Sequence, residues 1–379
     1  VIERTDQTSR EAAMPAEAER RRDWVIVLGK LAALVVALFL FVLAIQVMKE
    51  GAKALGPTFR DSPLFSNAYS TLGAGWLGAY VVLSGSPIAA VALALFNGEA
   101  LTKLQTFSML SGSRLGASFV VLLVGFLYAL RNRGANRSES VGMGILALAL
   151  TAVVYLPGMA IAYWVMKSGA LDGISWHASK DVLGVVDYIW GPALDLMGRM
   201  PGWMELPVGL GLLLVSFKFL DYVLPQLDGE RHGNGRAAGW LKRPWPMFLL
   251  GCVVATLTLS VSVALTVLVP LASRGYVKRR EAIPYIMGAN ITTLADTLVA
   301  AMVIGSAGAV QIVLAQAIGV AAISLLLLAF AYRRLSDGIM ALDDWLVASG
   351  RRLWIFVAAI FVLPVFLLLS GVIIGPITG

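Results

Sequence analysis

The chain reads as long apolar stretches separated by short charged ones. The stretches 25–48, 106–130, 141–166, 206–224, 282–305, 308–332 and 353–376 each run to about 20 residues or more, the length an α-helix needs to cross the hydrocarbon core of a bilayer. Two further apolar stretches, roughly 71–97 and 246–271, are interrupted by Ser, Gly or Pro. They predict hairpins that enter the membrane and turn back, because a broken helix at that depth survives only where protein or a cavity surrounds it. The pattern therefore predicts an all-α integral membrane protein with about seven spans and two re-entrant hairpins.

Charge assigns the faces, since Lys and Arg concentrate on cytoplasmic loops. Arg20, Arg21 and Arg22 put the N-terminus inside, and Arg131, Arg133 and Arg137 follow the second span. Arg231, Arg236, Lys242 and Arg243 precede the second interrupted stretch, and Arg274, Lys278, Arg279 and Arg280 follow it. A segment with both flanks basic should return to the face it left. The segment 167–205 is acidic, with Asp172, Asp181, Asp187, Asp195 and Glu205, which suits the exterior. The expected organisation is a polar cytoplasmic segment at 1–24, a first repeat at 25–166 and an external acidic loop at 167–205. A second repeat of inverted topology at 206–332 follows, then a cytoplasmic connection and final span at 333–379.

The repeat rests on an offset of 176. It carries Leu83-Ser84-Gly85-Ser86 onto Leu259-Ser260-Val261-Ser262, and Gly112-Ser113-Arg114-Leu115 onto Gly288-Ala289-Asn290-Ile291. With the charge count, the first hairpin opens outward and the second inward. Two inverted units, each with a hairpin and a discontinuous helix, is an architecture of secondary transporters, whose broken helices meet near the midplane. Gly85, Gly112 and Gly288 are the expected structural breaks.

Composition agrees with lipid as the main solvent: 58% of the 379 residues are hydrophobic, 14% are charged and the mean hydropathy is +0.80. The polar first 23 residues carry no short apolar core, so a removable signal peptide is not expected. One cysteine, Cys252, excludes an intrachain disulfide, and His177 and His232 lie in polar connections, so no metal site beyond a sodium ion is expected. The net charge of +7 comes from residues placed between apolar runs, which read as topology signals and not as a nucleic-acid surface. No Walker-type phosphate loop, HExxH or Gly-x-Ser-x-Gly pattern occurs, which argues against ATP-driven transport and against an enzyme.

The candidate chemistry lies at the matched segments. Ser84, Ser86, Ser260 and Ser262 can solvate an oxyanion beside free backbone N–H groups; the plainer reading is that they bond a carbonyl one turn back. Arg114 is a guanidinium inside a membrane run, a costly placement that points to a cavity or a partner, and it can clamp a phosphate-like or carboxylate group bidentately. Asp296 can bind a coupling cation or a proton, or form a structural ion pair, with Arg114 among its candidate partners. Asn290, Thr292 and Thr293 can offer oxygens to sodium, with a helix cap as the alternative for Asn290.

These residues resemble the sodium:phosphate cotransporter family, the type II group and its bacterial relatives. Leu38-Phe39-Leu40-Phe41 running to Met48-Lys49-Glu50-Gly51-Ala52-Lys53-Ala54-Leu55 looks like the family's opening "LFLFGMKLMSEGLKAL", and Ile286-Met287-Gly288-Ala289-Asn290-Ile291-Thr292-Thr293 looks like its "GANIGTT" break. The two Ser-bearing tips fall where the family has "QSSS". Leu83 and Leu259 stand in place of the glutamines, Gly85 and Val261 in place of the middle serines, Arg114 in place of an Asn, and Thr292 in place of a Gly. The resemblance implies a sodium-coupled symporter of inorganic phosphate or a related small anion, working by alternating access. Ser84, Ser86, Ser260, Ser262, Gly288, Asn290 and Thr293 inherit that role. The expected setting is a plasma membrane, a bacterial inner membrane, with the N-terminus cytoplasmic and a homo-oligomer left open. A proton-coupled transporter or exporter of another anion, and a non-transporting scaffold or sensor that kept the fold, are the alternatives.

Overall fold

The computed structural model describes residues 2–131, 137–174, 180–223, 243–258, 261–273 and 277–375, with side chains for all of these except 2–27, 137–138, 180–187, 221–223 and 261–263. All regular structure among the described residues is helical. The helices are α1 (Ile2–Arg60), α2 (Ala68–Val82), α3 (Gly85–Asn97), α4 (Lys103–Ala117), α5 (Phe119–Arg131), α6 (Arg137–Lys167), α7 (Lys180–Met197) and α8 (Gly202–Val223). After these come α9 (Pro244–Thr258), α10 (Val261–Thr266), α11 (Leu268–Ser273), α12 (Arg279–Thr292), α13 (Leu294–Ile304) and α14 (Ala307–Leu326). A π-helical turn, Leu327–Ala331, leads into α15 (Tyr332–Val347), and α16 (Gly350–Ile374) ends the fold.

Among the described residues seven helical stretches are long and apolar enough to cross a bilayer: Leu28–Arg60, Lys103–Arg131, Glu139–Lys167, Gly202–Leu220, Arg279–Ile304, Ala307–Val347 and Gly350–Ile374. They fall on the seven runs read from the sequence, and the chain is a multi-pass membrane protein. The two interrupted stretches instead form shorter helices, α2 with α3 and α9 with α10 and α11. Local chemistry sets the first turn. Leu83 takes a left-handed conformation with φ 55° after α2, and Ser84 is extended before α3. The start of α2 is fixed by Asn67, whose side chain accepts from the Ser70 N–H at 2.9 Å while its own N–H donates to Ser70 Oγ at 3.3 Å, a reciprocal cap.

The 176-residue offset extends from motif to fold. Adding 176 to Ala68–Val82 gives Pro244–Thr258, and adding it to Gly85 and Lys103, the first residues of α3 and α4, gives Val261 and Arg279. The packing repeats with it. A Cβ added at Gly112 would collide with the Leu72 carbonyl oxygen and approach the Trp76 nitrogen; one added at Gly288 would meet Phe248 and Cys252, each 176 residues on, in the same way. The helices cross backbone to backbone, which only glycine permits. Gly112 and Gly288 therefore lie inside α4 and α12 as crossing points, and the helical interruptions come later in the chain, at Ser118 and at Thr293. This corrects the expectation of glycine-marked breaks there. Gly85 does sit at the hairpin turn, as the first residue of α3.

Two other segments differ from their reading as connections. The acidic segment 167–205 contains α7, whose Trp190 stacks on Phe39 at 5.4 Å and donates from Nε1 to the Phe39 carbonyl at 2.8 Å. The connection after the sixth span is helical through Val347. Ion pairs hold it: Arg280 to Asp337 at 2.5 Å, and Arg279 to Asp343 and, at 3.3 Å, to Asp344. Arg279 also meets Glu139 at 3.0 Å, so one end of the molecule joins the starts of α6 and α12 to α15. The other end gathers Arg60, Ser62, Glu99, Gln105, Ser306 and Gly371 around a cavity of about 840 Å³.

The buried core divides into two large clusters and a small one of Leu122, Ile145, Leu148 and Leu346. One large cluster includes Ile45, Met48, Leu93, Leu110, Leu294 and Ile312; the other includes Leu115, Leu146, Leu150, Leu265, Ile286 and Met287. Both α4 with its continuation and α12 with its continuation pass from one large cluster to the other.

Candidate functional site

Between the two large clusters the chain buries a charge. Arg114, in the last turn of α4, is 3% exposed. Its Nη1 donates to Ser86 Oγ at 3.3 Å and to Thr293 Oγ1 at 3.2 Å, and its Nη2 donates to Thr297 Oγ1. Ser86 belongs to α3 just past the hairpin turn. Thr293 is the joint between α12 and α13, and Thr297 lies one turn further on. One side chain from the first half of the chain thus gathers hydroxyls from its own hairpin and from the second half.

Asp296, 4% exposed, completes the group. Its Oδ1 lies 3.5 Å from Arg114 Nη2 and accepts from the Thr297 N–H at 2.5 Å and from Thr297 Oγ1 at 2.9 Å. Thr297 Oγ1 therefore accepts from the guanidinium and donates to the carboxylate. Burying either charge alone costs several kcal/mol, on the order of 3–5 when a partner is removed, so the two account for each other's presence. Yet the pair is incomplete: Arg114 Nε and Asp296 Oδ2 are buried without a hydrogen-bond partner among the described residues. Such atoms suit an ion better than an apolar neighbour.

The other expected residues are placed around this group or away from it. Ser84 caps α3 without a side-chain bond to the helix. Asn290, 1% exposed, lies within α12 and donates from Nδ2 to Thr151 Oγ1 at 3.2 Å, while its carbonyl accepts from Tyr155 Oη at 2.9 Å. It is neither a helix cap nor a partner of Arg114. Thr292 is turned back, donating to the Cys252 carbonyl at 3.0 Å and the Gly288 carbonyl at 3.4 Å. Ser260 lies outside the described residues, and Ser262 is described only in its backbone, within α10.

Sequence reading missed Thr297 and Thr151. The signal for Thr297 was present, because positions 293, 296 and 297 fall on one helical face. Thr151 on α6 carried none. Among the described residues no group of three or more His, Cys, Asp or Glu is arranged to hold a metal. A cation here would rest on one carboxylate with hydroxyl and carbonyl oxygens.

Residues 212–348 match the model of the Na+/Pi-cotransporter family. The match supports the resemblance carried by Ile286 to Thr293, and it supports a transporter. No curated protein and no solved structure matches the chain. Within the matched segment lie Asn290, Thr293, Asp296 and Thr297. Arg114 and Ser86, which reach them from the first half, lie before it.

Proposed function

We propose that the chain is a secondary active transporter that moves a small anion, inorganic phosphate first, together with sodium, by alternating access of two inverted repeats around Arg114. The observation that carries this reading is the clamp itself, a buried guanidinium of the first half bound to Ser86 and to Thr293, Thr297 and Asp296 of the second. A guanidinium with a free N–H matches the oxygens of a tetrahedral anion or carboxylate. The orphaned Asp296 Oδ2 with nearby hydroxyl oxygens suits a sodium ion.

The inverted relation is supported by where equivalent helices begin. Lys103 opens α4, and its Nζ donates to Gln311 Oε1 at 2.9 Å in the first turns of α14. Arg279 opens α12, beside Glu139 near the start of α6. The span Lys103–Arg131 has 29 residues, about 43 Å at 1.5 Å per residue, so its two ends lie on opposite faces of the bilayer. Arg131 and Arg279 with Arg280 then mark the cytoplasmic face, and each hairpin returns to the face it left.

Uptake of labelled phosphate into proteoliposomes tests the reading. Sodium should drive accumulation and choline should not, with sulfate and small carboxylates compared alongside. Arg114→Ala should reduce uptake to background. Unchanged uptake in that variant would remove Arg114 from the site.

A further inference from the structure

The central ion pair is an odd one. Its closest approach is 3.5 Å, longer than a charge-assisted hydrogen bond of about 2.7–2.9 Å. Each partner also keeps a buried polar atom unpaired, Nε on Arg114 and Oδ2 on Asp296. In a site 3–4% exposed, a pair built only for stability would be expected to close into a bidentate fork with those atoms satisfied. Here Thr297 is interposed, accepting from one partner and donating to the other, and Thr293 and Ser86 hold the other guanidinium nitrogen.

The offset adds a second observation. Carried forward by 176, Arg114 falls on Asn290; carried back, Thr293, Asp296 and Thr297 fall on Ala117, Val120 and Val121. The charge of the first half and the carboxylate and hydroxyls of the second have no counterparts in the opposite half. The two charges form one device, assembled only where the halves meet.

We propose that Arg114 and Asp296 form a charge-swap site that takes an anion and a monovalent cation together. Without ions each side chain neutralises the other. The anion settles on Arg114, using Nε and the guanidinium edge now shared with Asp296, and the cation settles on Asp296, using Oδ2 with hydroxyl oxygens. One internal ion pair becomes two pairs, and with a singly charged anion such as dihydrogen phosphate the net charge of the buried site stays the same throughout. Either ion alone would strand the opposite side chain as an uncompensated buried charge, which makes the two bindings mutually dependent. The proposal rests on the transport reading above and adds one cation per anion at this pair, with Arg114 and Asp296 as their separate receptors.

Equilibrium binding to the purified full-length protein in lipid nanodiscs tests it, with inorganic phosphate as the anion and sodium or choline as the cation. In the wild type sodium should tighten phosphate binding by about tenfold or more, and phosphate should tighten sodium binding by the same factor, because the coupling is reciprocal. Asp296→Asn should bind phosphate equally well in sodium and in choline. Arg114→Gln should lose phosphate binding while sodium alone raises its melting temperature. The two variants therefore move in opposite directions, which a merely structural pair would not produce. An Asp296→Asn protein as sodium-dependent as the wild type overturns the proposal. If that variant does not remain monodisperse, the wild type alone decides: a phosphate affinity that ignores sodium, or a sodium dependence steeper than first order, overturns it as well. Wild-type protein that binds phosphate in neither cation overturns the transport reading itself, an outcome distinct from binding without coupling.

Discussion

At the residue scale the central fact is that two charges are buried together, Arg114 at 3% and Asp296 at 4% exposure. Removing one leaves the other stranded, at a cost of about 3–5 kcal/mol, whereas removing both costs less than the sum. The losses in melting temperature caused by Arg114→Gln and by Asp296→Asn in the detergent-solubilised protein should therefore sum to more than the loss caused by the double variant. Additive losses would mean that the pair contributes no coupling. Arg114 and Asp296 were legible in the sequence because a charge inside an apolar run stands out by its cost. Thr297 was not singled out, since a threonine in such a run is ordinary until its spacing from Thr293 and Asp296 is considered. Asn290 and Thr292 were singled out but are directed elsewhere, to Thr151 and to the Cys252 carbonyl. The direction of a side chain depends on what packs against its helix, which a motif does not record.

At the element scale the twofold crossing of α2 with α4 and of α9 with α12 makes a matched experiment available. Gly112→Ala and Gly288→Ala each force a methyl group into a carbonyl of the facing helix, and both should destabilise the protein by similar amounts, about 1–3 kcal/mol for overpacking. Gly338, within α15, has nothing within 4 Å of an added Cβ, and Gly338→Ala should be neutral or stabilising by up to about 1 kcal/mol. Thermal unfolding of the three variants checks this; a harmless substitution at Gly112 or Gly288 would mean that the backbones do not approach so closely. The spans were legible because length and hydropathy alone decide whether a helix can cross. The position of the interruptions was not, because glycine serves both as a break and as a close contact, and only the facing Leu72 and Phe248 distinguish the two. The helical connection through Val347 was hidden for a related reason: its charges read as a polar loop until Arg279 and Arg280 are seen to hold them.

At the scale of the whole molecule, the proposed transport cycle requires the two halves to run in opposite directions, so that the site can face one side of the membrane at a time. Glu99 and Lys278 are both exposed, and each lies just before one of two equivalent helices, α4 and α12. Glu99 has its carbonyl bonded to Arg60 at 2.5 Å, on the end that holds the cavity; Lys278 adjoins Arg279 and its carboxylates at the other end. With Cys252, the sole native thiol, replaced by serine, Glu99→Cys in intact cells should react with a membrane-impermeant maleimide added outside. Lys278→Cys should react only after the cells are opened. A parallel arrangement of the halves would leave both thiols accessible from the same side. The Arg114 clamp would then join two units that move together, and no rocking of one against the other could carry an ion across.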